Sequence, residues 1–280
     1  MNRASDVDIL LQMNNMTNNK KEKLDKVKRA TVALAYLNAA NVEVPFTIVG
    51  SGFCIDPSGI VITCRHVVDA FMSKTIAQQV AEAAPSTRPD GLQPVNPGNT
   101  ITPYAIFYDM ARSREKIFAI LFQPQNLTAK TDRDLAAIQL LPHTRFPQGY
   151  PSLEIEEFGN ISEGDEIGVC GFPLGNYLSE QLGTITSSFT KGILSSIIPG
   201  PNVRLEHLGG FQLNVTATNG NSGGPVFSIS SGKVFGVLAE AVVHPKGFIV
   251  QGLAKAEPVY PVIDAAFIES LRNAPKTMLL

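Results

Sequence analysis

From Thr31 onward the chain is a succession of short apolar or alternating runs, each closed by glycine, proline, asparagine or serine. The runs are "TVALAYL", "FTIVGSGFCI", "GIVIT", "YAIFYD", "KIFAILF", "LAAIQLL", "EIGVCGF", "GTITSSFTKGILSSI", "FQLNVTA", "PVFSIS", "KVFGVLAEAVV" and "GFIVQGLAK". Many short strands at this spacing predict an all-β chain of barrel or sandwich type. "CIDPSGIVI" reads as a hairpin, with Pro57 suited to the second position of a type I turn and Gly59 to the fourth. Helical pattern is confined to 67–84 and 258–274. The stretch 85–100, with four prolines and no apolar alternation, reads as a long surface loop. A second irregular stretch, 142–152, separates two strand-rich halves.

Ahead of the strands, residues 1–29 are polar, and Lys20 to Arg29 hold six basic residues. A solvated helix or flexible tail is expected there, a partner or an anionic surface being the other use of such a run. The only apolar core in this segment is Ile9 to Leu11, far short of the roughly 7–15 residues of a secretory leader. No later stretch has the length of a membrane span, so a cytoplasmic protein is expected. With 23 Lys plus Arg against 25 Asp plus Glu, the chain lacks the basic excess of broad nucleic-acid binding. Cys54, Cys64 and Cys170 are too few and too odd for a disulfide framework, and the four histidines form no zinc spacing. Buried free thiols, and no metal, are expected.

Three places hold the residue types of nucleophilic catalysis. His66 ends an apolar strand in "GIVITCRHVVDA", Asp134 opens another in "TDRDLAAIQLL", and Ser222 lies in "TNGNSGGPVF". A serine hydroxyl is a poor nucleophile until a base takes its proton, and that base needs an acceptor to fix its tautomer. Gly220 lets the backbone turn so that its own N–H and that of Ser222 converge on one point, as an oxyanion requires. Gly223 and Gly224 remove side chains where other groups must approach closely. Each residue also has an ordinary reading: His66 as a loop or core polar group, Asp134 as a turn cap or partner of Arg133, and Ser222 as a turn residue. Asp132 competes with Asp134 for any carboxylate role.

Together these strings resemble the trypsin-like serine proteases, most closely the HtrA (Deg) type. "GSGFCIDPSGIVITCRHVV" is similar to that family's histidine strand pair, "DRDLAAIQL" to its aspartate segment, and "GNSGGPVF" to its nucleophile turn. "ISEGDEIGVCGFPLGN" and "GKVFGVLAEAV" resemble two further segments, so the likeness runs from about 30 to 265. The resemblance implies two packed six-stranded antiparallel β-barrels with the active groups in the cleft between them. With the sequence reading, the expected organisation is a basic tail (1–29), an N-terminal barrel (30–148) carrying the 85–100 insertion as a candidate gate, and a C-terminal barrel with a terminal helix (149–280). His66, Asp134 and Ser222 would form the triad, and Gly220, Asn221 and Ser222 the oxyanion hole. The substrate would be a polypeptide, with no cofactor.

Departures from the pattern matter too. Asn221 stands where the digestive enzymes carry an aspartate, so activation by N-terminal cleavage is not expected. After the last helix pattern there is no room for a PDZ domain, and regulation through one is not expected. The loop "NAANVEVP" is short, which argues against trimer contacts of the family's kind. By position, the substrate pocket would be lined by Val215 to Thr218 (Thr216, Ala217 and Thr218 among them), Ala239, Glu240, Ala241 and Gly252. Thr216 lies six residues before Ser222, where a basic-specific pocket would hold an acid, so a small or medium apolar residue is expected before the scissile bond. Glu240 at the rim is the feature that would alter this.

Two other functions fit parts of the sequence. "GNSGG" also satisfies the G-x-S-x-G turn of α/β-hydrolases, but those need an acid and then a histidine after the serine. Only His244 follows Ser222, without strand–helix alternation around it. The second rival is a catalytically silent barrel pair that binds peptides or a partner.

Overall fold

The computed structural model describes residues 19–37, 46–70, 103–109, 116–121, 127–129, 133–182, 185–199, 208–247, 249–260 and 263–273. The loop 38–45, the insertion 85–100 and most of the helix expected over 67–84 lie outside them.

The apolar runs become strands because pairing with neighbours satisfies their backbone groups while their side chains bury, completely in the runs IVIT, AAIQ and PVFS. In the N-terminal half these are β1 (Thr31–Leu37), β2 (Phe46–Asp56), β3 (Ile60–Thr63), β4 (Pro103–Asp109), β5 (Lys116–Leu121), β6 (Leu127–Ala129) and β7 (Ala136–Gln139). They form one antiparallel sheet in the order β5-β4-β1-β2-β3-β7-β6. The expected six-stranded first barrel is therefore a seven-stranded sheet, whose edge strands β5 and β6 are not paired to each other among the described residues. The extra strand, β6, is only three residues, LTA, too short for a pattern to announce it. It exists because it pairs with β7, Leu127 opposite Ile138.

The C-terminal half is the expected closed six-stranded barrel, β10-β13-β12-β11-β8-β9. Its strands are β8 (Glu166–Gly171), β9 (Ser188–Pro199), β10 (Leu208–Asn214), β11 (Pro225–Ser228), β12 (Val234–Val243) and β13 (Ile249–Pro258). Its interior holds Ile167, Val169, Leu194, Phe211, Leu213, Phe235 and Leu238. A second cluster joins the halves, packing Phe53, Val61 and Ile138 with Cys170, Phe227 and Val237. Phe227 lies opposite Gly168, where a Cβ would come within 2.3 Å of the ring, so the glycine makes the space the ring fills. Phe227→Ala should lower the free energy of unfolding by about 3–5 kcal/mol, read from urea denaturation.

The "DPSG" turn closes β2 to β3 as its residues dictate. The Gly59 amide donates to Asp56 O (2.9 Å), and Gly59 takes φ 95°, which favours glycine.

The helices differ more from expectation. Helix α1 (residues 19–30) is not a free solvated element. Val27 and Ala30 are fully buried, Leu24 packs on the core, and Lys26 pairs with Glu154 at 2.9 Å. Helix α2 begins at 65 and is described to 70. Helix α3 (Gly175–Leu182) has no sequence pattern that announces it. Helix α4 (Ala265–Arg272) is half the expected 258–274, because β13 runs on to Pro258 and Asp264 caps the helix by accepting from the Phe267 amide (2.7 Å). Arg272 reaches back to the buried Asp56 carboxylate and ties α4 to the β2–β3 hairpin. Among the described residues no helix is long and apolar enough to cross a membrane.

Candidate active site

Register brings the first two residues together. β3 and β7 are antiparallel with Thr63 opposite Ala136, so the end of one lies beside the start of the other. His66, three residues past Thr63, then meets Asp134, two residues before Ala136. The Asp134 carboxylate accepts from the His66 backbone amide (2.9 Å) through Oδ1 and pairs with His66 Nδ1 (2.7 Å) through Oδ2. Arg133 contacts Glu257 (3.4 Å), and Asp132 lies outside the described residues.

Charge follows from this contact. The hydrogen bond to Asp134 holds the His66 pKa above its ordinary value, against the opposing effect of burial. Burial pushes the Asp134 carboxyl up, but hydrogen bonds from the His66 side chain and backbone outweigh it and leave it below the usual range. Cys64 completes the group. Its Sγ lies within 4.8 Å of the His66 and Asp134 ligand atoms and donates to Leu238 O (3.3 Å). All three cysteines are free and buried. Burial raises each thiol, Cys54 to about 12 and Cys170 to about 11, so they stay protonated and unreactive.

Ser222 sits on the turn into β11, held from both halves. Its carbonyl accepts from the Ser51 amide on β2 (2.8 Å), while the Gly223 amide donates to Leu238 O on β12 (2.7 Å). Gly223 takes φ 89°, and a Cβ there would lie 2.0 Å from Ser51 O, so only glycine fits. The Ser222 hydroxyl donates to Ala239 O (3.0 Å) rather than to His66. The Gly220 and Ser222 amides make no hydrogen bond among the described residues, which leaves both donors free there. Asn221 differs from expectation. Its amide donates to Thr218 O (3.1 Å) and closes the turn, so it is not a free donor.

One cleft of about 460 Å3 is lined by His66, Asp134 and Ser222 together with Ala217, Thr218, Ala239, Glu240 and Ala241. Thr216 and Gly252 do not line it. Val215 and Ala217 are buried while Thr216, between them, points to solvent, and Gly252 lies in a stretch of β13 next to Asn214. Asn219, Leu238, Val243 and Ile249 do line it. The last two are exposed apolar residues paired across β12 and β13, a signal that appears only once the strand register is known. Glu240 is paired with Lys255 at 2.9 Å, both side chains mostly exposed, so the expected rim acid is matched by a cation.

The sequence profile of the trypsin-like peptidase domain matches residues 50–237, well over half of the chain. No curated protein matches the sequence significantly. Among solved structures, the chain is similar to an HtrA-type protease, AlgW, determined with a decapeptide: TM-score 0.56, 15% identity, covering 91% of this chain and 68% of that one. It is also similar to Deg5, with TM-score 0.56 and 17% identity over 88% of this chain and 92% of that one. These identities speak to the fold, a chymotrypsin-like one, and the profile speaks to the family. The chain belongs to the trypsin-like peptidase family and is a serine protease of that family.

Proposed function

We propose that the protein is a serine endopeptidase working through His66, Asp134 and Ser222. The observation that carries this reading is the 2.7 Å His66–Asp134 contact in the same cleft as Ser222 and two free amides. Asp134 accepts the Nδ1 proton and so leaves Nε2 of neutral His66 as the acceptor. A rotation about χ1 turns the Ser222 hydroxyl from Ala239 O to Nε2. Its oxygen then adds to the substrate carbonyl carbon as His66 takes the proton. The carbonyl oxygen becomes an oxyanion between the Gly220 and Ser222 amides, where fixed dipoles stabilise charge without reorganising. Collapse breaks the C–N bond, His66 returns its proton to the leaving amine, and water hydrolyses the acyl-enzyme by the same steps in reverse.

A small or medium apolar residue before the scissile bond suits the cleft. Ala217, Ala239 and Ala241 line it, and its one glutamate is paired with Lys255 at the surface. The HtrA-type relative solved with a decapeptide supports a polypeptide as the ligand class.

A second reading, a catalytically silent peptide-binding protein, is favoured by one observation: the Ser222 hydroxyl is bonded to Ala239 O. Fluorophosphonate labelling separates the two. The probe should attach to Ser222 of the full chain, at a rate that falls as pH drops through the His66 pKa. Because Asp134 raises that pKa, the half-maximal rate should lie above about 6.5. No labelling of the folded protein, or a rate flat from about pH 5 to 8, overturns the hydrolase reading.

A further inference from the structure

An oxyanion hole works only if its donors are held in place before charge develops. Gly220 is the weak point of the turn, since glycine at φ 94° has the widest choice of backbone conformations. Two peptide planes flank it, and each is tied by its carbonyl. Asn219 O accepts from the Leu174 amide (2.7 Å), and Gly220 O accepts from the Ser51 hydroxyl (2.6 Å). In a trans peptide the C=O and N–H point in opposite directions. Tying Asn219 O to Leu174 therefore turns the Gly220 N–H away from the 172–174 segment, and that N–H is one of the two free donors.

The two ties share an anchor. Ser51 Oγ donates to Gly220 O and accepts from the Phe172 amide (3.0 Å), so one hydroxyl spans the turn and the strap that bears Leu174. The rest of Ser51 is equally committed. It is fully buried on β2, its amide donates to Ser222 O (2.8 Å), and its carbonyl accepts from Thr63 Oγ1 (2.7 Å). The strap itself is not at rest. Leu174, at φ 48°, is the only non-glycine residue with positive φ among those described, and it is half exposed. A non-glycine residue keeps such a conformation where its surroundings impose it. Packing against the small Gly171 leaves the Ser51 hydroxyl little freedom, as a Cβ there would lie 3.0 Å from it.

We infer that Ser51 is a positioning residue for the oxyanion hole. Its hydroxyl, reaching from the N-terminal sheet, clamps Gly220 O to the Phe172 amide and so aims the Gly220 N–H at the developing oxyanion. This rests on reading the Gly220 and Ser222 amides as oxyanion donors. Ser51 touches no substrate atom and acts through Gly220.

The test compares two ligands on the full-length protein. One is a tripeptide boronic acid with valine at the boron-bearing position, whose tetrahedral adduct with serine places an oxygen in the hole. The other is the same tripeptide as a carboxamide, which makes no adduct. Ser51→Ala should weaken boronate binding and lower kcat by a common factor of about 10–100, below the 10²–10³ of losing a donor outright. Carboxamide affinity and KM should stay within about threefold. Equal weakening of both ligands means a merely structural role and overturns the inference, as does no weakening of either. Should Ser51→Ala fail to fold, Ser51→Cys, of similar shape but with a weak S–H donor, carries the same comparison. Wild-type protein that takes up neither boronate nor fluorophosphonate overturns the hydrolase reading itself. Wild type that takes up both, with an unchanged ratio in the variant, overturns only the role of Ser51.

Discussion

Ser222→Ala should lower kcat by about a million-fold while the protein stays folded, because in the proposed triad the nucleophile, the base and its partner act as one unit. The hydroxyl makes a single hydrogen bond, to Ala239 O, so its loss should change stability by only about 1 kcal/mol. The backbone that shapes the turn is untouched, since Ser222 meets Ser51, and Gly223 meets Leu238, through main-chain atoms. Fluorophosphonate labelling should vanish and peptide affinity should remain. Steady-state kinetics beside a thermal unfolding curve check both halves of this. Activity within tenfold of wild type would mean that the nucleophile is elsewhere.

Asp134→Asn should cost about 10⁴-fold in kcat at neutral pH. The replacement keeps the shape but puts an amide donor against His66 Nδ1. The imidazole then carries its proton on Nε2, which can no longer accept from Ser222. The charge is lost as well. The Asp134 carboxylate is what chiefly raises the His66 pKa, so the acid limb of the residual activity should move to lower pH. A pH–rate profile of the variant reads both effects. A neutral-pH loss below tenfold, with the limb unmoved, would return Asp134 to the role of a turn cap.

The strands were legible because short apolar or alternating runs closed by turn residues are a local signal, and every strand except the short β6 carries it. β6 is too short to show one, and its three residues become a strand through pairing with β7. Helix α1 shows the same limit. Lys20 to Arg29 read as a solvated run, yet Val27 and Ala30, three residues apart, are enough to bury one face. Pocket residues were the least legible. Thr216 and Ala217 are adjacent in sequence, and only the course of the folded backbone after β10 says which of them faces the cleft.

Residue type, chain order and the resemblance of the strings around them single out the His66, Asp134 and Ser222 segments as candidates. Which atoms cooperate is a tertiary matter. The β3–β7 register puts Asp134 on His66, and the Thr218 carbonyl takes the Asn221 amide and leaves those of Gly220 and Ser222 free. Ser51, in a string that reads as an ordinary strand, becomes a bridge between the two halves. Each of these rests on hydrogen bonds between segments far apart in the chain, whose partners are chosen by packing rather than by neighbours in sequence.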